Sequence, residues 1–167
     1  LLKLQTGGKA RAIGVSNFNQ SHLEEIKSAG LPMPDANQIE LHPWSQKPDL
    51  LANMAKHDIA PIAYSSLVPL STWRVEEGQD SAKTDDMKAD GTAFKGMAQK
   101  YGVSEAQLLL RWGVKNGYAV LPKSLNPDRM RQNLDLFSFV IDDADMAQIA
   151  TMDRGKGVAW ASGDPSK

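Results

Sequence analysis

Residues 12–64 read AIGVSNFNQSHLEEIKSAGLPMPDANQIELHPWSQKPDLLANMAKHDIAPIAY. Short apolar runs begin in this stretch at residues 12, 36 and 60, so they recur every 24 residues. Apolar runs without strict alternation are typical of strands that are covered on both faces. A helical pattern follows each run, and the stretch therefore predicts β-then-α units whose strands form a parallel sheet.

A fourth unit of the same kind lies further along the chain, where Asn126 is a candidate helix cap and Pro127 a first helical residue. The whole chain, 1–167, is interpreted as one segment with strands near 12–15, 36–39, 60–64 and 118–122. Four such units suit a small doubly wound domain or half of an eight-stranded barrel. Periodicity alone does not separate these two architectures.

Capping motifs and polar stretches predict where the helices and loops lie. Capping boxes at Ser21–Glu24 and Ser104–Gln107 mark the starts of two helices. The polar stretch 68–91 is predicted as a long loop, and the Gly-, Ser- and Pro-rich residues 153–167 as a C-terminal surface loop. In the second half of the chain, helices are predicted near 93–101, 105–116 and 143–152.

The composition restricts the class of protein. The 167 residues are 41% hydrophobic and 23% charged, which suits one globular core. A net charge of −1, without a long block of either sign, argues against nucleic acid or an anionic membrane as a partner. No apolar run reaches the roughly 20 residues of a membrane helix. The absence of cysteine excludes disulfides and thiolate metal sites, and it predicts a cytoplasmic protein.

Polar side chains follow the predicted strands at the point where each strand ends. In parallel sheets these ends meet at one rim, where ligands bind. Hydroxyl and carboxamide groups beside an aromatic ring suit a heteroaromatic ring that carries an amide. Alternatively, Ser16 and Asn17 cap the next turn and Tyr64 packs in the core. The residues concerned are Ser16, Asn17, Gln38, Glu40, Tyr64, Ser65, Lys123 and Ser124.

The segment PKSLNPDR, residues 122–129, has the features of a phosphate site. A helix that begins at Asn126 offers free backbone N–H groups and the positive end of a dipole. A cation such as Arg129 is unfavourable in that first turn unless an anion binds nearby. Alternatively, the segment is a solvated turn in which Arg129 pairs with Asp128 or Asp135. The predicted phosphate ligands are Lys123, Ser124, Asn126 and Arg129.

Several common functional motifs do not occur in the chain. Neither GxGxxG nor GxxxxGK[ST] is found, and no GxSxG nucleophile elbow supports a hydrolase. The three histidines, His22, His42 and His57, lack the i, i+4 spacing of a helical metal site, and no metal is predicted. His42, in the sequence HPW beyond the second strand, is interpreted as a structural residue.

Taken together, five segments resemble the aldo-keto reductases and occur in the family's order. The resemblance implies that the chain is the C-terminal half of a (β/α)₈ TIM barrel, with four parallel strands, the fifth to the eighth, and covering helices. It thus favours the half-barrel over the doubly wound domain. The segments are GKARAIGVSNFN, ANQIELHPW, IAPIAYSSL, AVLPKSLNPDRMRQNLDLFSF and MDRGKGVAWASGDPSK.

The same resemblance implies an NADP(H) site in this chain. Ser16, Asn17 and Gln38 would hydrogen-bond the nicotinamide carboxamide, while Tyr64 would stack on the ring. Ser65 and Leu67 would line the path of the pyrophosphate. The phosphate ligands named above would hold the 2′-phosphate, and the two residues that reach towards the adenine would be Gln132 and Asn133.

The resemblance also implies what the chain lacks. In the family, an Asp, a Tyr, a Lys and a His on the first four strands form the catalytic tetrad. We therefore expect no catalytic residue here: the parent enzyme would reduce aldehydes or ketones to alcohols, and this chain alone would be inactive. The opening LLKLQTGGKAR reads as the end of a helix, so the chain is expected to begin inside a fold.

Two other functions remain open, a non-catalytic dinucleotide-binding protein and a half-barrel that self-associates without a ligand. Either the missing N-terminal half or a second copy would then be the partner of the open sheet. Trp73, Arg74 and Trp160 are candidates for closing a substrate pocket. Residues expected to lose a packing layer in the open half-barrel are Ile13, Val15, Ile39, Ile62, Val120 and Leu121.

Overall fold

The computed structural model describes residues 1–70, 85–155 and 165–166. Its strands are β1 (Gly14–Ser16), β2 (Ala36–Glu40), β3 (Ala60–Tyr64) and β4 (Ala119–Val120). All neighbouring strands are parallel, and they form one sheet in the order β1-β2-β3-β4. The predicted α/β architecture with four parallel strands is therefore confirmed.

Helices connect and cover the strands. A short 3₁₀ helix, Val68–Leu70, follows β3. The α-helices are α1 (Leu2–Thr6), α2 (Gln20–Ser28), α3 (Pro48–Lys56), α4 (Asp85–Tyr101), α5 (Glu105–Lys115), α6 (Pro127–Leu134) and α7 (Asp143–Ala150). In the part of the chain that the structure describes, no helix has both the length and the apolarity to cross a membrane.

One face of the sheet packs against the helices and forms the core. Ile39 is completely buried and packs in a cluster with Leu23 of α2 and Met54 of α3. A second cluster lies under α4, α5 and α7, where Phe94, Leu109 and other large side chains are buried. Alternate residues of a strand point to opposite sides, so this face uses the odd-numbered positions of β2.

The other face, which we call the inner face, is open and built largely from small residues. The register pairs Gly14 with Ala36 and Ala36 with Ala60, and it pairs Ile62 with Ala119. Partners in a parallel register share a face. The inner face therefore has a floor of Gly and Ala and gains bulk only towards the C-terminal strand ends.

The predicted set of residues that lack a packing layer is partly wrong. Val15 pairs with Asn37, and Val120 pairs with Ala63, the partner of Ile39. These positions belong to the helix-covered face, and Ile39 is completely buried. An apolar strand residue need not face the interior of a barrel, because the covering helices bury the outward face of each strand.

The start of α2 differs from the predicted capping box. Asn19, not Ser21, caps the helix: its Oδ1 accepts the N–H of His22 at 3.0 Å, and the Nδ1 of His22 accepts the N–H of Asn19 at 3.3 Å. The buried Asn37 holds the preceding residue through two hydrogen bonds with the Phe18 backbone. This tertiary contact makes the helix begin two residues earlier. At α5, the predicted box of Ser104 and Gln107 is confirmed.

The segment 68–91, predicted as a loop, is partly helical. The 3₁₀ helix occupies its first residues, α4 begins at Asp85, and 71–84 lie outside the described residues. The polar first turns of α4 carry no apolar periodicity, so the pattern revealed only the later turns, which bury Phe94 and Met97. Of the predicted C-terminal loop, 156–164 and Lys167 also lie outside the described residues.

A cluster of polar side chains attaches α7 to α4. The Lys100 ammonium lies 2.5 Å from Asp142 and 2.9 Å from Asp145, and the Tyr101 hydroxyl donates to Asp145. Hydrogen bonds to Asp142 and then Asp145 raise the pKa of Lys100, and the bond from Lys100 lowers the pKa of Asp142. The last helix is therefore held by charge as well as by Ile149 and Met152.

Large apolar side chains are exposed beside β1 and in the chain that follows β4. At the β1 edge, Leu1 and Leu31 line a cavity of about 460 Å³ together with Gly14 and Val15. A second set of exposed apolar side chains is carried by the chain that follows β4. Its members are Leu121, Leu125, Met130, Leu134, Phe137 and Val140, and we call them the α6 patch.

Candidate functional site

The C-terminal ends of three neighbouring strands are joined by a polar network. Gln38 of β2 accepts two hydrogen bonds at its backbone carbonyl, from the Ser16 hydroxyl at 3.0 Å and from the Asn17 N–H at 2.9 Å. The Tyr64 hydroxyl, at the end of β3, donates to Oδ1 of Asn17 at 2.8 Å. Sequence reasoning placed these four residues at one rim, and the structure brings them together.

Two residues of the rim have left-handed backbone conformations. Asn17, directly after β1, has φ of 59°, and Ser65, directly after β3, has φ of 57°. Asparagine tolerates this conformation better than most residues, because its short amide side chain can form hydrogen bonds with the neighbouring backbone. The left-handed residue turns the chain sharply at the strand end and leaves the Asn17 amide beside Tyr64.

The bond from Tyr64 orients the amide of Asn17. Because a phenol in this contact donates to the carbonyl oxygen, the hydrogen-bond network assigns the Nδ2–H₂ group to the other side of the amide. Gln38 shares the inner face with Ser16 through their register. The rim thus combines a hydroxyl with two carboxamides above a floor of small residues.

The Tyr64 ring has two roles in the structure. It is half-buried and packs on the cluster that contains Trp44 and Phe94. The alternative in which Tyr64 packs in the core is thus partly realised, although its hydroxyl reaches the rim. Leu67, which was assigned to the pyrophosphate path, packs partly buried against the same cluster.

The basic segment follows β4, the strand next to β3. It therefore begins at the C-terminal strand ends, where the rim lies. Lys123 and Arg129 are exposed, and Asp128 pairs with Arg131 at 2.6 Å rather than with Arg129. The alternative of an Arg129–Asp128 pair therefore does not describe this turn. Among the residues that the structure describes, neither Lys123 nor Arg129 pairs with a carboxylate, so both cations are available to an anion near the start of α6.

The prediction of free N–H groups at the start of α6 needs correction. The side chain of Asn126 caps the helix by accepting the N–H groups of Asp128 at 2.9 Å and Arg129 at 3.1 Å. The Ser124 hydroxyl accepts the N–H of Asn126 at 3.1 Å. The same hydroxyl donates to the Asn126 carbonyl at 3.4 Å. These two side chains shape the turn, so the cations are what it offers to a ligand. Gln132 and Asn133 lie one turn further along α6.

A buried carboxylate–imidazole pair lies beneath the rim and was missed by sequence reasoning. Glu40 Oε1 is 2.7 Å from His42 Nε2, and both side chains are completely buried. The Nδ1 atom of His42 accepts the N–H of Trp44 at 3.3 Å, so Nε2 carries the proton that faces Glu40. This geometry supports the structural interpretation of His42. The signal in the sequence was Glu40 two residues before HPW, at the end of a strand.

Comparison with known proteins identifies the family. The model of the Aldo/keto reductase family matches residues 1–154. The chain belongs to the aldo/keto reductase family.

Its relatives include several sugar reductases. It is 40% identical over 148 residues to an NAD(P)H-dependent pentose reductase of Pyricularia oryzae, which covers 89% of this chain and 44% of that protein. It is 39% identical to an NAD(P)H-dependent D-xylose reductase of Scheffersomyces stipitis, over 92% of this chain and 48% of that one. A morphine 6-dehydrogenase of Pseudomonas putida is 36% identical over 92% of the chain and 51% of its own length.

Solved structures agree with the family assignment. An aldo-keto reductase of Bombyx mori in complex with NADP superposes with a TM-score of 0.81 and 32% identity, over 96% of this chain and 50% of that one. The chain spans about half the length of the curated relatives and structures that it matches. The α/β half with four parallel strands is thus the part of the family's barrel that this chain supplies.

The Tyr64–Asn17 bond can be tested by a double-mutant cycle on unfolding. Tyr64→Phe removes one hydrogen bond and should lower the free energy of unfolding in urea by about 0.5–1.5 kcal/mol. Asn17→Gly keeps the left-handed backbone favourable but removes the acceptor. In that background the cost of Tyr64→Phe should disappear. An equal cost in both backgrounds would show that the two side chains are not coupled.

Proposed function

We propose that this chain forms the cofactor-binding half of an NADPH-dependent aldo-keto reductase that reduces aldehydes or ketones to alcohols. The observation that carries the proposal is the rim network of Ser16, Asn17, Gln38 and Tyr64. This network lies at the C-terminal ends of the strands, and the exposed Lys123 and Arg129 follow the C-terminal end of β4. The rim offers polar groups to the amide of a nicotinamide, and the basic segment offers cations to a phosphate. Together they suit a nicotinamide dinucleotide phosphate.

At the nicotinamide end, the chain's own residues supply binding and orientation. Asn17, with its oxygen turned to Tyr64, offers its amide hydrogens to a carboxamide, and Ser16 and Gln38 complete the polar set. The ring of Tyr64 provides an aromatic surface beside them. When bound, the nicotinamide supplies a hydride to the carbonyl carbon.

At the phosphate end, we assign the 2′-phosphate to Lys123 and Arg129, with Ser124 and Asn126 shaping the turn. Ser65 and Leu67 lie after β3, between the two ends of the site, and are assigned to the pyrophosphate. Gln132 and Asn133 on α6 are assigned to the adenine. Arg is well suited to such a phosphate because its planar group donates two parallel hydrogen bonds.

We assign no catalytic residue to the described chain. Carbonyl reduction needs a proton donor at the developing alkoxide. His42 is completely buried against Glu40, and the Tyr64 hydroxyl is engaged with Asn17. The acid and its partners are therefore assigned to the other half of the barrel.

The cofactor assignment predicts a preference for NADPH over NADH in calorimetric titrations of the chain. Arg129→Gln should weaken NADPH binding about 10- to 100-fold and leave NADH almost unchanged, because a charge-assisted contact contributes about 1.5–3 kcal/mol. Arg131→Gln is the matched control, since Arg131 is exposed on the same helix and pairs with Asp128. Equal affinities for NADPH and NADH would refute the assignment of the two cations.

The division of labour between the halves predicts that the purified chain does not reduce carbonyl compounds. With NADPH and a simple aldehyde, the absorbance of NADPH should fall no faster than it does without the chain, because no donor stabilises the alkoxide. Steady turnover that survives repurification would show that a catalytic group lies in this half.

Self-association is a second candidate role, and the exposed apolar side chains beside β1 and after β4 favour it. An open strand edge with exposed apolar neighbours is a template for pairing with another chain. A second copy can pair β4 with β1 of its partner around a two-fold axis, and so cover both edges. The missing barrel half would compete for the same two edges.

The edge exposure predicts that the purified chain is a dimer or larger species by light scattering at micromolar concentration. Leu134→Ser should shift the distribution towards monomer, because Leu134 is 81% exposed in the α6 patch and a polar residue there disfavours burial in an interface. Gln148→Ser on exposed α7 surface is the control. A compact wild-type monomer that unfolds cooperatively would contradict self-association.

A further inference from the structure

A buried asparagine beneath the rim holds the backbone of Phe18 at two points. Oδ1 of Asn37 accepts the N–H of Phe18 at 3.3 Å, and its Nδ2 donates to the Phe18 carbonyl at 2.8 Å. The same Nδ2 lies 3.8 Å from the sulfur of Met54. The side-chain amide therefore binds one residue of the turn after β1 with both a donor and an acceptor. We call these two hydrogen bonds to the backbone the Phe18 clamp.

The clamp is formed by a side chain that water does not reach. Asn37 is 0% exposed, and its register partners Val15 and Pro61 place it on the helix-covered face of the sheet. An apolar side chain at this position would leave the N–H and the carbonyl of Phe18 without their partner. A buried amide is thus retained at a position of β2 where the neighbouring cluster is apolar.

The clamp also restrains Asn17, the residue before Phe18. Asn17 has φ of 59°, a conformation that residues other than glycine adopt infrequently. Its own N–H donates to the Gln38 carbonyl at 2.9 Å, and the next N–H along the chain, that of Phe18, is held by Asn37. The two peptide groups that flank the Cα of Asn17 are therefore bound to consecutive residues of β2. Rotation about both backbone bonds of Asn17 is restricted as a result.

The far end of the Asn17 side chain is held separately. The Tyr64 hydroxyl donates to its Oδ1 at 2.8 Å. With the backbone held by β2 and the oxygen held by the phenol, the Nδ2–H₂ group of Asn17 has one direction at the rim. Hydrogen bonds weaken steeply when the donor angle bends, so a change in the backbone of Asn17 would misdirect this amide even if Tyr64 kept its contact.

We propose that Asn37 is a positioning residue for the nicotinamide end of the cofactor, because the Phe18 clamp sets the direction of the Asn17 amide. The proposal rests on the proposed function, in which that amide binds the nicotinamide carboxamide. Asn37 itself lies on the opposite face of the sheet from Ser16 and Gln38, so it acts through Phe18 and Asn17. The basic segment follows β4, and β3 separates that strand from β2. The effect of Asn37 is therefore confined to the nicotinamide end.

The test is calorimetric titration of the chain with NADPH and with adenosine 2′,5′-bisphosphate, which has the adenosine and the 2′-phosphate but no nicotinamide. Asn37→Leu keeps the branched shape of the side chain and removes both bonds to Phe18. It should weaken NADPH binding about tenfold and leave binding of the bisphosphate within about twofold. Asn116→Leu is the matched control. Asn116 is exposed before β4, at the other ends of the strands, and it donates to the Trp112 carbonyl at 2.8 Å. Both affinities should be unchanged in this control.

A double-mutant cycle with Asn17→Gly separates positioning from a general loss of structure. In that background no amide remains to be directed, so Asn37→Leu should weaken NADPH binding by no more than about twofold. Should Asn37→Leu not fold, Asn37→Thr provides the measurement, because one hydroxyl then takes the place of both ends of the amide. The same selective loss of NADPH binding is expected. Equal losses for both ligands, an unchanged affinity for NADPH, or additive losses in the double variant would overturn the proposal.

Hydrogen exchange of the chain without ligand distinguishes failure of this proposal from failure of the proposed function. In the Asn37 variant, the Phe18 amide should exchange at least about tenfold faster, whereas amides of β3 should not change. Unchanged exchange at Phe18 would overturn the clamp even if NADPH binds. If the wild type binds neither nucleotide while Phe18 exchanges faster in the variant, the proposed function is refuted, together with the positioning role that rests on it.

Discussion

The parallel pairing of the four strands is the constraint on which the rest of the molecule depends. Each connection returns the chain to the side of the sheet where the strands begin. The C-terminal ends of all four strands therefore lie together on the opposite side. The register then decides which side chains face one another there, as with Ser16 beside Gln38 and Glu40 beside Tyr64. A shift of one residue would turn these groups to the helix-covered face.

The two faces of the sheet meet different requirements. The helix-covered face is closed by large apolar residues such as Ile39 and holds the unit together. The inner face has a floor of Gly and Ala, with polar groups only at the rim. Small residues leave room above the sheet, and in the part of the chain that the structure describes β1 and β4 are the two edge strands.

Buried polar groups support the rim from below. Asn37 holds the Phe18 backbone, and Glu40 holds the imidazole of His42, which accepts the N–H of Trp44. Such networks are costly to disrupt, because a buried polar group that loses its partner is not resolvated. They keep the turns after β1 and β2 in fixed conformations, so the exposed donors of the rim have defined directions.

By itself, the sequence determined the architecture and the candidate site. The 24-residue repeat gave the parallel β/α units, and the polar residues at the strand ends identified the rim, because these depend on local pattern and short separations. Only the tertiary structure decided the cap of α2 at Asn19 and the first turns of α4. It also decided which apolar strand residues face the helices. Each of these depends on contacts between residues far apart in the chain, such as Asn37 with Phe18 and Asp90 with Trp44, and no local pattern records which partner a side chain will meet.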